Sequence, residues 1–316
     1  MKISLVITIF NEESTLDLLL TAIKKQTQQI DELIIVDGGS TDRSWAILKT
    51  YQQQKFFKNK LKIYQKTGNR STGRNLAIKK TTNELIAITD AGCIPNKDWL
   101  EKLVKKQHQT QAPVVAGYYY GLAKNNFQQA VIPYVLVMPD KIDHNFLPAT
   151  RSMLISKKTW QEVGGFNEQL NHNEDYAFAK ELESRKIKIA IAQAAQVAWL
   201  PRKNLWSFIV MIYRFALGDA EAEIFRPKVG LILARYFLLI LVLFFSLLGL
   251  FFPPVNFLTS YGLTILLLAI ISYGSWAIAK NKKYVVTGWW WLPLLQISAD
   301  LAVITGTVTG SLKKLN

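Results

Sequence analysis

Two stretches hold the side chains most able to do chemistry. In residues 88–100, ITDAGCIPNKDWL, an apolar run ends on a lone acid, Asp90, beside Gly92 and ahead of Pro95. Ends of parallel strands are where ligands bind, so Asp90 faces a metal, a sugar or nothing. In residues 164–182, GGFNEQLNHNEDYAFAKEL, Glu174 and Asp175 open a helix whose apolar face is Phe178, Ala179 and Leu182. Carboxylates suit a helix N-terminus, so simple capping is one reading of the pair. The other is a general base at a pocket rim, deprotonating a sugar hydroxyl. His172 is a rival base, although a loop histidine is more often merely solvated.

Two further stretches suit anions. DGGSTD (37–42) places Gly38 and Gly39 between Asp37 and a helix start. Such a turn lets a ligand approach backbone N–H groups, and an Asp there can hydrogen-bond a base or ribose edge; an ordinary strand-to-helix turn looks the same. GNRSTGRNLA (68–77) brings Arg70 and Arg74 to the beginning of a helix. Cations there oppose the helix dipole, so an anion is expected to compensate. A diphosphate would suit; pairing with surface acids is the alternative.

The elements that must position these groups alternate strand and helix, which implies an α/β fold with a mostly parallel sheet. Strands are expected at 3–9, 33–36, 61–64 and 85–89, and helices at 14–26, 42–54, 71–80 and 96–108. Three strand ends then offer polar groups to one crevice: Thr8 with Asn11 and Glu12, Asp37 with its glycines, and Asp90. The pattern blurs from 111 to 147.

The chain has 316 residues and a net charge of +15, half of them hydrophobic. From Leu231 onward only Arg235, Lys280, Lys282, Lys283, Asp300, Lys313 and Lys314 are charged. A basic chain with such an apolar tail faces anionic lipid rather than nucleic acid, and no basic–aromatic nucleic-acid module stands out. One cysteine, Cys93, rules out an internal disulfide and fits a reducing compartment. The first residues read as a strand, not a signal peptide.

Residues 231–252 and 257–279 are each long enough to span a bilayer of about 30 Å. PPVN (253–256) makes a turn between them, and Lys280, Lys282 and Lys283 follow the second. The positive-inside rule then leaves both ends of the pair, and the large domain, in the cytoplasm. Trp289, Trp290 and Trp291 look like an interfacial belt. Residues 292–308 carry Gln296 and Asp300, costly in hydrocarbon, so this segment is either a third span or a re-entrant or interfacial helix. The expected organisation is a cytoplasmic domain over 1–228 and a membrane domain over 229–316. Residues 204–222 form either an interfacial helix or one packed on the domain itself.

Taken in order, SLVITIFNEESTLDLLLTAIKKQ, DELIIVDGGSTDRS, GNRSTGRNLAI, LIAITDAGCIPNKDWLEKL, RSMLISKKTWQEVGGFNEQLNHNEDYAFAKEL and LPRKNLWSFIVMIYRFALGDAEA resemble the family 2 glycosyltransferases, over about residues 2–225. The resemblance implies a GT-A fold, a nucleotide-diphosphate sugar donor and an inverting displacement. It implies that Thr8, Asn11, Glu12, Asp37 and Gly38 line the donor's nucleotide end, with Arg74 nearby. Arg151 would present a polar group to the donor or the acceptor, and Arg214 would help hold the departing diphosphate. Asp175 would be the base, with Glu174 beside it. Asp90 fills the first place of the family's Asp-X-Asp metal motif, but Gly92 stands in the last. A divalent metal, Mg²⁺ or Mn²⁺, is therefore expected to be held mainly by the donor. MIYRFALGD lacks the Gln and Trp of the Gln-X-X-Arg-Trp motif of processive synthases, favouring single transfer over polymer extrusion. The expected acceptor is a lipid-linked or other membrane saccharide of cell-envelope or exopolysaccharide synthesis. The alternatives are a non-catalytic sugar- or nucleotide-binding membrane protein and a processive polysaccharide synthase.

Overall fold

Apolar runs too continuous to alternate faces make the centre of a sheet, because strands covered by helices on both sides are buried all round. In the computed structural model, which describes residues 2–251 and 257–315, β1 (Ile3–Ile9), β2 (Glu32–Asp37), β3 (Leu61–Gln65) and β4 (Leu85–Ile88) are such strands or their edge. They pair in parallel in the order β3-β2-β1-β4. The sheet continues through β7 (Met153–Ser156), β6 (Val114–Gly121), β8 (Ile189–Trp199) and β5 (Cys93–Pro95). β7 runs antiparallel to both β4 and β6, and β5 antiparallel to β8. The result is a mixed sheet with a parallel half carrying the predicted strand ends.

The helices fall near their expected places: α1 (Leu16–Lys24), α2 (Ser44–Gln53), α3 (Arg70–Lys80) and α4 (Trp99–Thr110). α1 buries Leu16, Leu19, Leu20 and Ile23, the face its spacing predicts. α4 starts at Trp99 rather than 96 because Cys93–Pro95 first pairs with β8, and Asn96 N still donates to Gln196 O at 3.0 Å. The blurred region resolves into β6, α5 (Asn126–Val135) and a loop leading to β7. α6 (Lys157–Val163) and α7 (Glu174–Ser184) complete the α/β part. One core runs from Val6, Ile34, Val36, Ile86 and Ile88 of the sheet to Ile78 of α3 and to Phe178 and Leu182 of α7.

Packing sorts the chain into two compact units: Met1–Leu122 with Leu136–Leu200, and Ala123–Val135 with Pro201–Asn316. The second holds α5, α8 (Leu205–Glu221), α9 (Pro227–Phe251), α10 (Phe257–Asn281) and α11 (Leu292–Leu315). The expected turn at 253–256 lies outside the described residues. Among the described residues three helices are long and apolar enough to cross a membrane, by length and composition: α9, α10 and α11. The segment expected over 292–308 is one unbroken helix reaching Leu315. Its Asp300 is buried and satisfied: Gln296 Nε2 donates to it at 2.9 Å, Tyr236 OH at 3.3 Å, Tyr273 OH donates as well, and Arg235 pairs with it at 3.4 Å. α8 opens on a capping box, with Ser207 N donating to Asn204 Oδ1 at 2.9 Å. It groups with the C-terminal helices, although the sequence reading set 204–228 within the α/β domain.

Candidate active site

At the carboxyl ends of β1 and β2, short polar side chains stitch two loops together. Asn11 follows β1 with φ of +55°, a left-handed conformation that Asn tolerates. Its N–H donates to Ser40 Oγ at 2.9 Å, and its Oδ1 accepts from Thr41 N at 2.8 Å. Glu12 N–H donates to Ser44 Oγ at 2.8 Å. Asp37, fully buried at the end of β2, accepts from Ser40 N and Oγ at 3.0 and 2.6 Å, and from Gln65 Nε2 at 3.1 Å. Its carboxylate therefore braces the glycine loop. Gly38 N–H closes on Ile9 O at 2.9 Å. Thr8 is half-buried, and a Cβ on Gly73 would meet its methyl at 2.9 Å. Glycine at 73 is what lets α3 approach β1 so closely.

That approach delivers Arg74. Its guanidinium is only 3 % exposed, and it bridges two acids distant in sequence. Nη1 donates to Glu174 Oε1 at 2.6 Å, and Nη2 to Asp90 Oδ1 at 2.9 Å. The ring of Phe166 lies 5.5 Å below it. The anions that compensate this helix-start cation are thus protein carboxylates. Removing one member of so buried a pair costs about 3–5 kcal/mol, because the survivor keeps an unpaired charge. Burial would raise the Asp90 pKa, but the positive charges of Arg74, Arg151 and Arg70 outweigh it and hold the carboxyl below the usual carboxylate range. Asp90 is 30 % exposed, and its Oδ2 accepts no hydrogen bond from the described residues.

Glu174 and Asp175 reach this cluster because α3 grips the loop before α7. Asn69 caps α3 by accepting from Thr72 N at 3.0 Å, while its Nδ2 donates to Glu168 O at 2.7 Å and Leu170 O at 3.1 Å. Asn75 pins Phe166 at both polar atoms, Nδ2 to O at 2.8 Å and Oδ1 from N at 2.9 Å. Gly165 makes the turn at φ of +78°, where an added Cβ would lie 3.0 Å from Asn75 Oδ1. Glu174 is 3 % exposed and turned to Arg74. Asp175 accepts from Tyr176 N at 2.9 Å through Oδ1, leaving Oδ2 without a described hydrogen bond. Burial and then the neighbouring Glu174 charge push its pKa up, against Arg151 and Arg74. A carboxyl displaced toward neutrality is suited to take a proton.

Arg151 lies over the rings of Tyr119 at 5.1 Å and Trp199 at 5.7 Å, and Thr89 Oγ1 holds its backbone by donating to its carbonyl at 2.8 Å. The predicted residues Arg74, Asp90, Arg151, Glu174 and Asp175 form one electrostatic cluster. Thr8, Asn11, Glu12, Asp37 and Gly38 occupy the adjoining strand ends. Arg214 is exposed on α8, in the second unit. Sequence reasoning missed Phe166, Tyr119, Trp199, Asn69 and Asn75. Only Asn69 and Asn75 carried a local signal, as polar residues flanking the two arginines. Among the described residues no three His, Cys, Asp or Glu side chains gather as a metal site. The free Oδ2 of Asp90 fits a divalent ion whose other ligands come from a bound molecule.

Comparison with known proteins identifies the family. The model of Glycosyl transferase family 2 matches residues 4–166, just over half of the chain. The chain belongs to that family. GlyG, a glycosyltransferase of Streptococcus pneumoniae, is 32 % identical over 120 residues, covering 37 % of this chain and 39 % of its own length. A cholesterol galactosyltransferase of Borreliella burgdorferi is 28 % identical over 136 residues, covering 42 % and 37 %. The chain thus spans well under half of these family relatives. The solved mannosyltransferase PcManGT from Pyrobaculum calidifontis, in complex with GDP-Man and Mn²⁺, superposes with a TM-score of 0.61 at 17 % identity, covering 96 % of this chain and 87 % of that one. The likeness shows a shared GT-A fold.

Proposed function

We propose that this chain is an inverting glycosyltransferase that moves a sugar from a nucleotide-diphosphate donor to a membrane-associated acceptor. One observation carries the reading: Arg74 ties Asp90, at a strand end, to the Glu174–Asp175 pair, and Asp175 beside it is pushed toward a basic carboxyl. The donor's nucleotide lies along Thr8, Asn11, Glu12, Asp37 and Gly38, as in the family pattern. Asp175 Oδ2 takes the proton of the acceptor hydroxyl as that oxygen bonds to the anomeric carbon. The bond from that carbon to the diphosphate breaks on the opposite face, and its electron pair leaves with the diphosphate. Arg151 and Arg70 add positive charge toward Asp90 and so toward the leaving group. Glu174 keeps the neighbouring carboxyl poised, and Arg74 holds the two acids in register.

A divalent metal, held by Asp90 and chiefly by the donor, would supply further neutralisation of the leaving diphosphate. The long apolar helices support an acceptor at the membrane, and the name of the Borreliella relative, a cholesterol galactosyltransferase, is in keeping with it. A cell-envelope or exopolysaccharide glycolipid fits, and the α/β unit then lies in the cytoplasm.

The test is release of nucleoside diphosphate by detergent-purified protein from a panel of UDP-, GDP- and dTDP-sugars. Mg²⁺ or Mn²⁺ is added, with and without membrane lipid extract. Release from one donor that falls about 10²–10⁴-fold in Asp175→Asn, with donor binding retained, is expected for loss of a general base. Equal turnover by the variant would overturn the assignment. Full activity in excess chelator would remove the metal from it.

A further inference from the structure

α9 and α10 show apolar side chains on all sides, as helices immersed in lipid do. Phe237, Leu238, Ile240 and Phe244 of α9 are each more than half exposed. α11 differs. Its exposed apolar residues, Leu294, Ile297, Leu301, Val308 and Leu312, recur at the three- and four-residue spacing of one helix face. The opposite face is buried, and α8 covers its second half. A Cβ on Gly306 would lie 2.4 Å from Tyr213 O and 2.9 Å from Ala216 Cβ. One on Gly310 would lie 2.7 Å from Ala220 Cβ. Lys313 Nζ meets Glu221 Oε1 at 3.5 Å, so the two helices run side by side in the same direction.

This pairing decides where α11 can lie. Wherever its second half goes, α8 goes with it, and α8 carries Arg214, Asp219 and Glu221. Arg214 is exposed, and Asp219 is bonded to Arg226 Nη2 at 3.1 Å. A spanning α11 would draw Arg214 and the paired acids of α8 toward hydrocarbon, where charge is costly. Along the bilayer surface the exposed Arg214 stays wet while the stripe alone enters the acyl boundary. The start of α11 agrees with this depth. Trp289 and Trp290 precede it, half exposed, with Lys282 Nζ 5.7 Å over the Trp289 ring, the composition of a headgroup belt.

We propose that α8 and α11 form an in-plane platform on an anionic leaflet, and that only α9 and α10 cross the bilayer. Lys313 then lies on the same side as Lys282 and Lys283, satisfying the positive-inside rule that a third crossing would violate. The inference is independent of the reaction proposed above.

Labelling by a membrane-impermeant maleimide tests it in sealed vesicles of both orientations. Cys93 is buried, so single cysteines can be added to the full chain. Lys55→Cys, exposed on the α/β unit, and Ser311→Cys, exposed near the end of α11, are compared. Labelling of both in the same vesicle orientation, and of neither in the other, is expected. Labelling in opposite orientations means that α11 crosses, and it overturns the proposal. Release of the protein by alkaline carbonate overturns it too, by removing the two crossings. A C-terminal epitope gives a second readout: protease must reach it only in vesicles where residue 55 is labelled.

Discussion

At the scale of single residues, the site is governed by how three carboxyls divide the positive charges of buried Arg74 and half-buried Arg151. Asp90 is held low by its arginines, whereas Asp175 is pushed up by burial and by Glu174. In the proposed role Asp175 works ionised, so kcat/KM should fall with acidification through its raised pKa, with the acid limb above the ordinary aspartate value. Glu174→Gln removes the nearest negative charge and stabilises the ionised form of Asp175. The limb should then move to lower pH; a pH–rate profile with an unmoved limb would detach Glu174 from the base. Gly92 offers a complementary experiment. A Cβ there would meet nothing within 4 Å. Gly92→Asp should fold normally and add a second oxygen donor beside Asp90. The Mn²⁺ concentration for half-maximal donor turnover should drop, as metal titration would show.

At the scale of elements, the site depends on the grip of α3 on the loop before α7. Gly165→Ala puts a side chain at a φ of +78° and against Asn75 Oδ1. A loss of about 1–3 kcal/mol is expected, read as a lower Tm in detergent, with a fall in kcat because the acid pair loses its support. The parallel strands and their helices were legible in the sequence, since each is a local apolar period: α1 buries the four residues its spacing marks. The acids at the strand end and helix start were legible for the same reason. The Arg74–Glu174 bridge was not, because it joins residues 100 positions apart and leaves no periodic trace. The short strand β5 was hidden in the same way. Three residues ending in proline carry no apolar period, and only pairing with β8 makes them a strand.

At the scale of the whole molecule, the chain is interleaved. Residues 123–135 leave the α/β unit between β6 and β7 and pack instead with the C-terminal helices. There Phe127 meets Trp291 edge-on at 5.3 Å, Tyr134 meets Phe208 at 6.0 Å, and Tyr134 OH donates to Leu292 O at 2.7 Å. Synthesis proceeds from the N-terminus, so α5 emerges from the ribosome long before any of these partners exists. Until the segment from Pro201 onward follows, its apolar face must wait uncovered or be shielded by a chaperone. A polypeptide stopped after Leu200 would hold a complete sheet yet keep that orphaned face, and size-exclusion chromatography should find it self-associated. Replacing 123–135 with a short polar linker should return the same fragment to a monomer. The helices after Leu200 are, in this sense, a late step in maturing a segment translated in the middle of the α/β unit.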